Sequence, residues 1–189
     1  CKVFNSLENC LKEKPDFVFH LAAQSLVYKS ILDVRFNWET NVVGLLNVLE
    51  ALNKLKKKCT GIIITSDKCY KNLEQKKGYR ETDILGGVDP YSASKASAEI
   101  LFHSYFKTFI ENKNNKLRLC TARAGNVIGG GDWSKNRLIP DCMKMWLKHK
   151  IPEIRNPNST RPWQHVLEAL SGYLDLSLRL DRDKNINGH

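Results

Sequence analysis

The stretch Gly61–Ser66, GIIITS, is a short continuous apolar run that ends in two hydroxyl residues. A run of this length and character is a strand buried on both faces, since a strand with one wet face would alternate apolar and polar residues. Two runs of the same type lie on either side of it, Phe17–Ala23 (FVFHLAA) and Leu117–Ala124 (LRLCTARA). Between them are two longer segments with helical period. The first extends from about Asn37 to Lys57 and gathers Val42, Val43, Leu45, Leu46, Leu49, Leu52 and Leu55 on one wide stripe. The second opens at Asp89-Pro90, an N-cap residue followed by proline at the first helical position, and passes through Ala96, Ile100, Phe102, Phe106 and Phe109 to about Ile110. Apolar strands alternating with long helices predict βαβ units and a doubly wound parallel sheet, an α/β fold. After Gly129-Gly130-Gly131 the segments shorten and Pro140, Pro152, Pro157 and Pro162 intervene, which predicts a second, irregular region.

Composition agrees with a globular body. The 189 residues are 42% hydrophobic and 26% charged, with 11 Gly and 6 Pro, which excludes a collagen, a disordered tail and a disulfide miniprotein. No apolar run approaches the roughly 20 residues of a membrane helix. The six cysteines (1, 10, 59, 69, 120 and 142) lack the close spacing of a zinc knuckle or redox pair, so they are expected to be free thiols of a reducing cytoplasm. The five histidines (20, 103, 149, 165 and 189) make no i,i+4 pair and no cluster with cysteine, so no metal site is expected. Lys+Arg number 30 against 20 Asp+Glu, a formal charge of +10. Much of the excess sits at Lys54, Lys56, Lys57, Lys58, Lys76, Lys77 and from Lys113 to Arg118, at the ends of apolar-periodic segments. Such runs favour helix C-termini and a solvated surface. They are not interleaved with aromatics, and no recognition helix accompanies them, so no nucleic-acid partner is expected.

In parallel α/β sheets ligands bind beyond the strand C-termini. Here those ends read His20-Leu21-Ala22-Ala23-Gln24, Thr65-Ser66-Asp67-Lys68 and Arg123-Ala124-Gly125-Asn126. The second helix begins Tyr91-Ser92-Ala93-Ser94-Lys95, a spacing that puts a phenol and an ammonium on one helical face. A phenol with a pKa near 10 is a poor base at neutral pH, and a neighbouring ammonium favours the phenolate. That pair, with the Ser66 hydroxyl at the end of the strand upstream, is suited to removing a proton from a sugar hydroxyl.

With these residues in place, the chain resembles the extended short-chain dehydrogenase/reductase superfamily, and within it the CDP-glucose 4,6-dehydratases. The resemblance rests on HLAAQSLV (His20–Val27), TNVVG (Thr40–Gly44), TSDKCY (Thr65–Tyr70), GYRETDILGGVDPYSASK (Gly78–Lys95), ARAGNVIGGGDW (Ala122–Trp133), RLIPD (Arg137–Asp141) and IRNPNSTRPWQHVLE (Ile154–Glu168). YxxxK and HLAA mark the superfamily; the Ser-Asp-Lys triplet, GGGDW and RNPNSTRPWQHV mark the CDP-sugar branch. The resemblance implies a Rossmann-type sheet, a bound NAD that takes hydride from C4 of the glucose of CDP-glucose and returns it to C6, and loss of water across C5–C6 between those steps. It implies Tyr91, Lys95 and Ser66 as the group that deprotonates the C4 hydroxyl. Asp67 is the expected acid for the departing C6 hydroxyl. Where sister dehydratases carry Glu as the C5 base, this sequence has Lys68, which acts as a base only if its pKa is depressed. Ala22, Ala23, Gln24 and Asn41 are expected beside the cofactor, with Tyr91 and Lys95, Asn41 through a polar contact near the strand ends. Asn126 and Arg161 are the expected substrate contacts, the guanidinium suiting a diphosphate. Gly129–Gly131 does not open a helix in the GxGxxG manner, so it is read as a turn that shapes the sugar pocket.

Superfamily order makes Phe17–Ala23 the fourth strand, so these residues are expected to be an internal fragment. On this reading residues 1–137 are the C-terminal part of an NAD-binding Rossmann domain without its Gly-rich first strands, and 138–189 are part of a small nucleotide-sugar-binding region. Alone, such a polypeptide is expected to bind NAD poorly and turn over little, while a longer parent is expected to form a homodimer through its two long helices. Two other readings stay open: a dehydratase or epimerase for another nucleotide sugar, and an inactive basic RNA- or protein-binding module. Asp67 and Lys68 argue against an epimerase, which eliminates no water; Tyr91, Lys95 and Asp67 argue against an inactive module.

Overall fold

The computed structural model describes residues 12–111 and 116–188. Cys1, Cys10, Lys113 and His189, which entered the sequence reading, lie outside the described residues. The three apolar runs form a parallel sheet in the order β1-β2-β3, with β1 at Phe17–His20, β2 at Cys59–Ile64 and β3 at Leu117–Ala122. Phe19 pairs with Ile62, and Ile62 pairs in turn with Cys120. Each strand stops two or three residues before its run ends, so Ala22, Ala23, Thr65 and Ser66 lie in the loops that leave the sheet.

Both faces of the sheet are covered, as a buried parallel sheet requires. On one face Ile63, Leu117 and Leu119 pack against Leu45, Val48, Leu49 and Leu52 of α3 (Gly44–Asn53) and against Phe102 and Phe106. Phe102 belongs to α4 (Pro90–Tyr105), and Phe106 opens the π turn that extends it, Phe106–Ile110. On the other face Ile62 and Cys120 pack on Leu180, in the C-terminal half of α6 (Val166–Arg182). Neighbouring β2 residues Ile62 and Ile63 thus serve opposite layers, the period of two a strand dictates. Asp181 fastens the same helix to the sheet by accepting from Thr60 Oγ1 at 2.9 Å and pairing with Lys58 at 2.7 Å.

The predicted helix from about Asn37 is longer than its apolar stripe and is interrupted. It starts as α2 (Val34–Trp38), with the Asp33 carboxylate accepting from Phe36 N, passes through a π turn at Glu39–Val43, and continues as α3. A short helix, α1 (Val27–Leu32), precedes it. The predicted start of the second helix is as read: Asp89 accepts from Ser92 N at 3.0 Å and from Ser92 Oγ at 2.6 Å, and Pro90 occupies the first turn.

The described residues form two compact units. The first comprises residues 1–124 and 173–189. The second, 125–172, holds the two-stranded parallel sheet of β4 (Asn126–Ile128) and β5 (Trp163–His165) together with α5 (Leu138–Trp146). The sequence reading divides the chain at residue 137 instead. The unit boundary falls earlier because β4 pairs with β5, Asn126 against Trp163, and it closes again because Leu180 belongs to the core of the first unit. Among the described residues the cysteines 59, 69, 120 and 142 are free, and no helix is long and apolar enough to cross a membrane.

Candidate active site

Beyond the C-terminal end of β2 the chain enters a 3-10 turn at Asp67–Cys69, capped by Ser66. Ser66 Oγ accepts from Lys68 N at 3.2 Å and donates to Asp67 Oδ1 at 3.1 Å. The turn is tied to the strand beside it, since Thr65 N donates to Ala122 O and Asp67 N donates to Ala124 O. Helix α4 packs on this turn, so Tyr91 and Lys95 come to the same end of the sheet as Ser66, Asp67 and Lys68. Tyr91, Lys95 and Ser66 are buried, while Asp67 and Lys68 are half-buried.

Gly87 explains how the helix start comes so close. A Cβ there would lie 2.4 Å from Ala93 N and from the Ser92 carbonyl carbon, so backbone lies on backbone where only glycine fits.

Lys95 is 5% exposed, and its ammonium donates one long bond, 3.4 Å, to Ile64 O. Burial drives its pKa down to about 8, against the opposing pull of the Glu99 carboxylate. His20, at the end of β1, is brought down to about 4 by burial and by the Lys95 charge, and is neutral throughout the physiological range. The buried thiols nearby are inert: burial raises Cys69 and Cys120 to about 12.

A web of buried amides joins the β1 loop to the helix that carries Tyr91. Asn41, inside the π turn, accepts from Gln24 N at 2.8 Å and donates to Gln24 O and to Ser94 Oγ. Asn37 donates to Pro90 O at 2.9 Å and accepts from Gln24 Nε2 and Asn41 Nδ2. The Asn41 amide faces protein on each of these bonds. Ala22 is exposed and Ala23 half-buried. Asn126 and Arg161 belong to the second unit. Asn126 is half-buried in β4, and Arg161 is exposed, its Nη1 donating to Thr160 O.

Reading the sequence alone missed Asn37, Thr65, Glu99 and Arg123. Glu99 is buried and pairs with Arg123 at 2.7 Å. Its place four residues after Lys95, on the same helical face, was the available signal.

An ammonium has three donors, and Lys95 commits one, weakly, to a backbone carbonyl. The described residues contain no group of three His, Cys, Asp or Glu side chains that could hold a metal ion.

A model of the GDP-mannose 4,6-dehydratase family matches residues 4–187. The CDP-glucose 4,6-dehydratase of Salmonella typhimurium is 46% identical over 94% of this chain and 50% of its own length. The chain therefore spans about half the length of this relative. Among solved structures, the UDP-glucuronic acid 4-epimerase of Bacillus cereus, in complex with UDP-glucuronic acid and NAD, superposes with a TM-score of 0.82 at 24% identity, over 98% of this chain and 56% of that one. The dTDP-glucose 4,6-dehydratase DesIV of Streptomyces venezuelae, with NAD and TYD bound, superposes with a TM-score of 0.80 at 24% identity, over 94% and 52%. At these identities the superpositions speak for the Rossmann-type fold.

Proposed function

Since the chain belongs to the GDP-mannose 4,6-dehydratase family, within the extended short-chain dehydrogenase/reductase superfamily, we propose that it carries the proton-transfer half of a CDP-glucose 4,6-dehydratase. The reaction converts CDP-glucose to CDP-4-dehydro-6-deoxyglucose. The observation that carries the reading is the packing of α4, with Tyr91 and Lys95, against the Ser66–Asp67–Lys68 turn. The 46% identity to the Salmonella enzyme favours the CDP-sugar over other nucleotide sugars.

Lys95, with Ala22, Ala23 and Gln24 near the strand ends, would hold NAD, which when bound supplies the hydride acceptor and donor. The ammonium of Lys95 stabilises Tyr91 as the phenolate, which takes the proton of the C4 hydroxyl and becomes the phenol. Ser66 orients that hydroxyl. Once C4 is a ketone the C5 proton is acidified, and Lys68 is the side chain on the turn available to remove it. Asp67 protonates the C6 hydroxyl as water leaves. Asn126 and Arg161 are proposed as substrate contacts. The exposed apolar side chains Val34, Phe36, Val43, Ile100 and Phe109 on the long helices support a homodimer of the complete protein.

The test is a substrate panel of CDP-, dTDP-, GDP- and UDP-sugars given to the complete natural protein, read by the alkali absorbance of 4-keto sugars. CDP-glucose is expected to give the signal. Inversion at a sugar carbon with no 4-keto-6-deoxy product would overturn the reading in favour of an epimerase.

A further inference from the structure

Two turns of helix after Tyr91, a carboxylate is sunk between the helix and the sheet. Glu99, 4% exposed, accepts from the hydroxyls of Thr65, at the end of β2, and of Thr121 on β3, the latter at 3.0 Å. It also accepts from Arg123 Nη2 at 2.7 Å. Arg123 reaches on from there. Its Nη1 donates to Tyr70 Oη at 2.8 Å and to Glu81 O at 3.3 Å, and its guanidinium lies 4.9 Å from the centre of the Tyr70 ring. Tyr70 in turn stacks on Tyr79 with centroids 5.1 Å apart.

The contacts have a specific layout. Thr65 is the residue before Ser66, and Tyr70 is the residue after Cys69. The Ser66–Cys69 segment is therefore held at both of its ends by one ion pair, through Glu99 on the upstream side and Arg123 on the downstream side. The same carboxylate lies one helical turn from Lys95. Its three acceptor contacts go to Thr65, Thr121 and Arg123, so it influences Lys95 through space and not by a direct bond.

We propose that Glu99, with Arg123, is the positioning residue of the proton-transfer centre: the pair fixes the Ser66–Asp67–Lys68 turn against Tyr91 and Lys95, and Glu99 sets a negative charge one helical turn from the Lys95 ammonium. The proposal rests on the reading that Tyr91 and Lys95 form that centre. The charged and titratable groups around Lys95 are Tyr91 and Glu99 on its own helix, His20 from β1, Asp67, Lys68 and Cys69 from the turn, and Arg123 paired with Glu99. His20 is neutral at physiological pH and the Cys69 thiol stays protonated, so neither supplies a charge there. Glu99 supplies the negative charge on the same helix. Burial pushes the ammonium towards neutrality and Glu99 opposes that. A carboxylate a few ångströms away moves such an equilibrium by about one pH unit or more.

The experiment is the titration of Lys95 in the complete protein, followed by NMR of lysine labelled at Cε and assigned with Lys95→Met. In Glu99→Gln the Lys95 titration is expected to fall by about one pH unit, with faster amide exchange at residues 66–70. The variant leaves Arg123 without its partner, so Glu99→Gln combined with Arg123→Met is the second arm: both charges are gone, and neutral replacement of a buried ion pair is commonly tolerated. A fall in the same direction but smaller is expected there, because the positive charge of Arg123 is lost with the negative charge of Glu99. A Lys95 titration that coincides with the wild type in a folded variant overturns the proposal, whatever the turnover does. The readout needs no substrate, so a failed substrate panel and a failed positioning role are told apart.

Discussion

A lysine that titrates near pH 8 is poised at the edge of its useful range. As an ammonium Lys95 can stabilise a phenolate on Tyr91; as an amine it cannot. Turnover of the complete protein is therefore expected to fall as pH rises through about 8, and a kcat profile will show that limb. The acid side is governed by stability. His20 is depressed to about 4 in the folded state against about 6.5 unfolded, so below pH 6.5 the unfolded chain binds the extra proton. Stability from this group is complete above pH 6.5 and is lost as pH falls from there to about 4, by about 3 kcal/mol in all. Denaturant midpoints at pH 7 and pH 4 measure the loss, and His20→Gln is expected to flatten it. Lys68 is a third case. If it removes the C5 proton, Lys68→Met should abolish exchange of that proton with solvent while C4 oxidation persists. Exchange at the wild-type rate would remove Lys68 from the role.

At the scale of elements, Asn37 links two of them. It joins α2 to the first turn of α4 through Pro90 O and joins the β1 loop through Gln24. Asn37→Leu keeps the volume and leaves Pro90 O and Gln24 Nε2 without this partner. A cost of about 1–3 kcal/mol is expected, seen as a lower melting temperature, along with reduced turnover because Tyr91 follows Pro90 directly. The elements themselves were legible in the sequence. Three apolar runs became three parallel strands, and Asp89-Pro90 opened the helix it was read to open, because burial on both faces and capping chemistry are local properties of the chain. The π turn was not legible. Asn41 showed only as a residue unsuited to a helix interior, and the contacts with Gln24 and Ser94 that justify it come from distant segments. The pairing of Glu99 with Arg123 was not legible for a similar reason. Each reads as an ordinary solvated charge, and only the closeness of α4 to β3 makes them a buried pair.

At the scale of the whole molecule, the sheet has two unlike edges. At β3, Leu119 N donates to Asn187 Oδ1 and Leu119 O accepts from Gly188 N, both at 2.7 Å, so a tail segment covers the edge. Gly188 is suited to this place: its φ is +88°, and a Cβ would lie 2.3 Å from Phe106 Cε1. At the opposite edge, β1 pairs with β2 alone among the described strands. An open parallel edge invites association, so the 189-residue polypeptide is expected to self-associate as its concentration rises, which sedimentation will show. The same sheet bears on the cofactor. A Rossmann-type sheet binds the dinucleotide's pyrophosphate at a Gly-rich turn that opens a helix. The glycine pairs in these residues do other work, since Gly87 lies against the α4 backbone and Gly130 and Gly131 precede no helix start. On the proposed function this sheet would offer NAD the Lys95 ammonium and the small residues after β1, suited to a ribose and a ring and not to two phosphates. Micromolar binding needs about −8 kcal/mol, and a half-site of this kind is expected to reach about half of that, a Kd near 1 mM. Calorimetry on the 189-residue polypeptide, shown to be folded by a cooperative melt, measures it. Micromolar affinity would mean that these residues hold a phosphate site of their own.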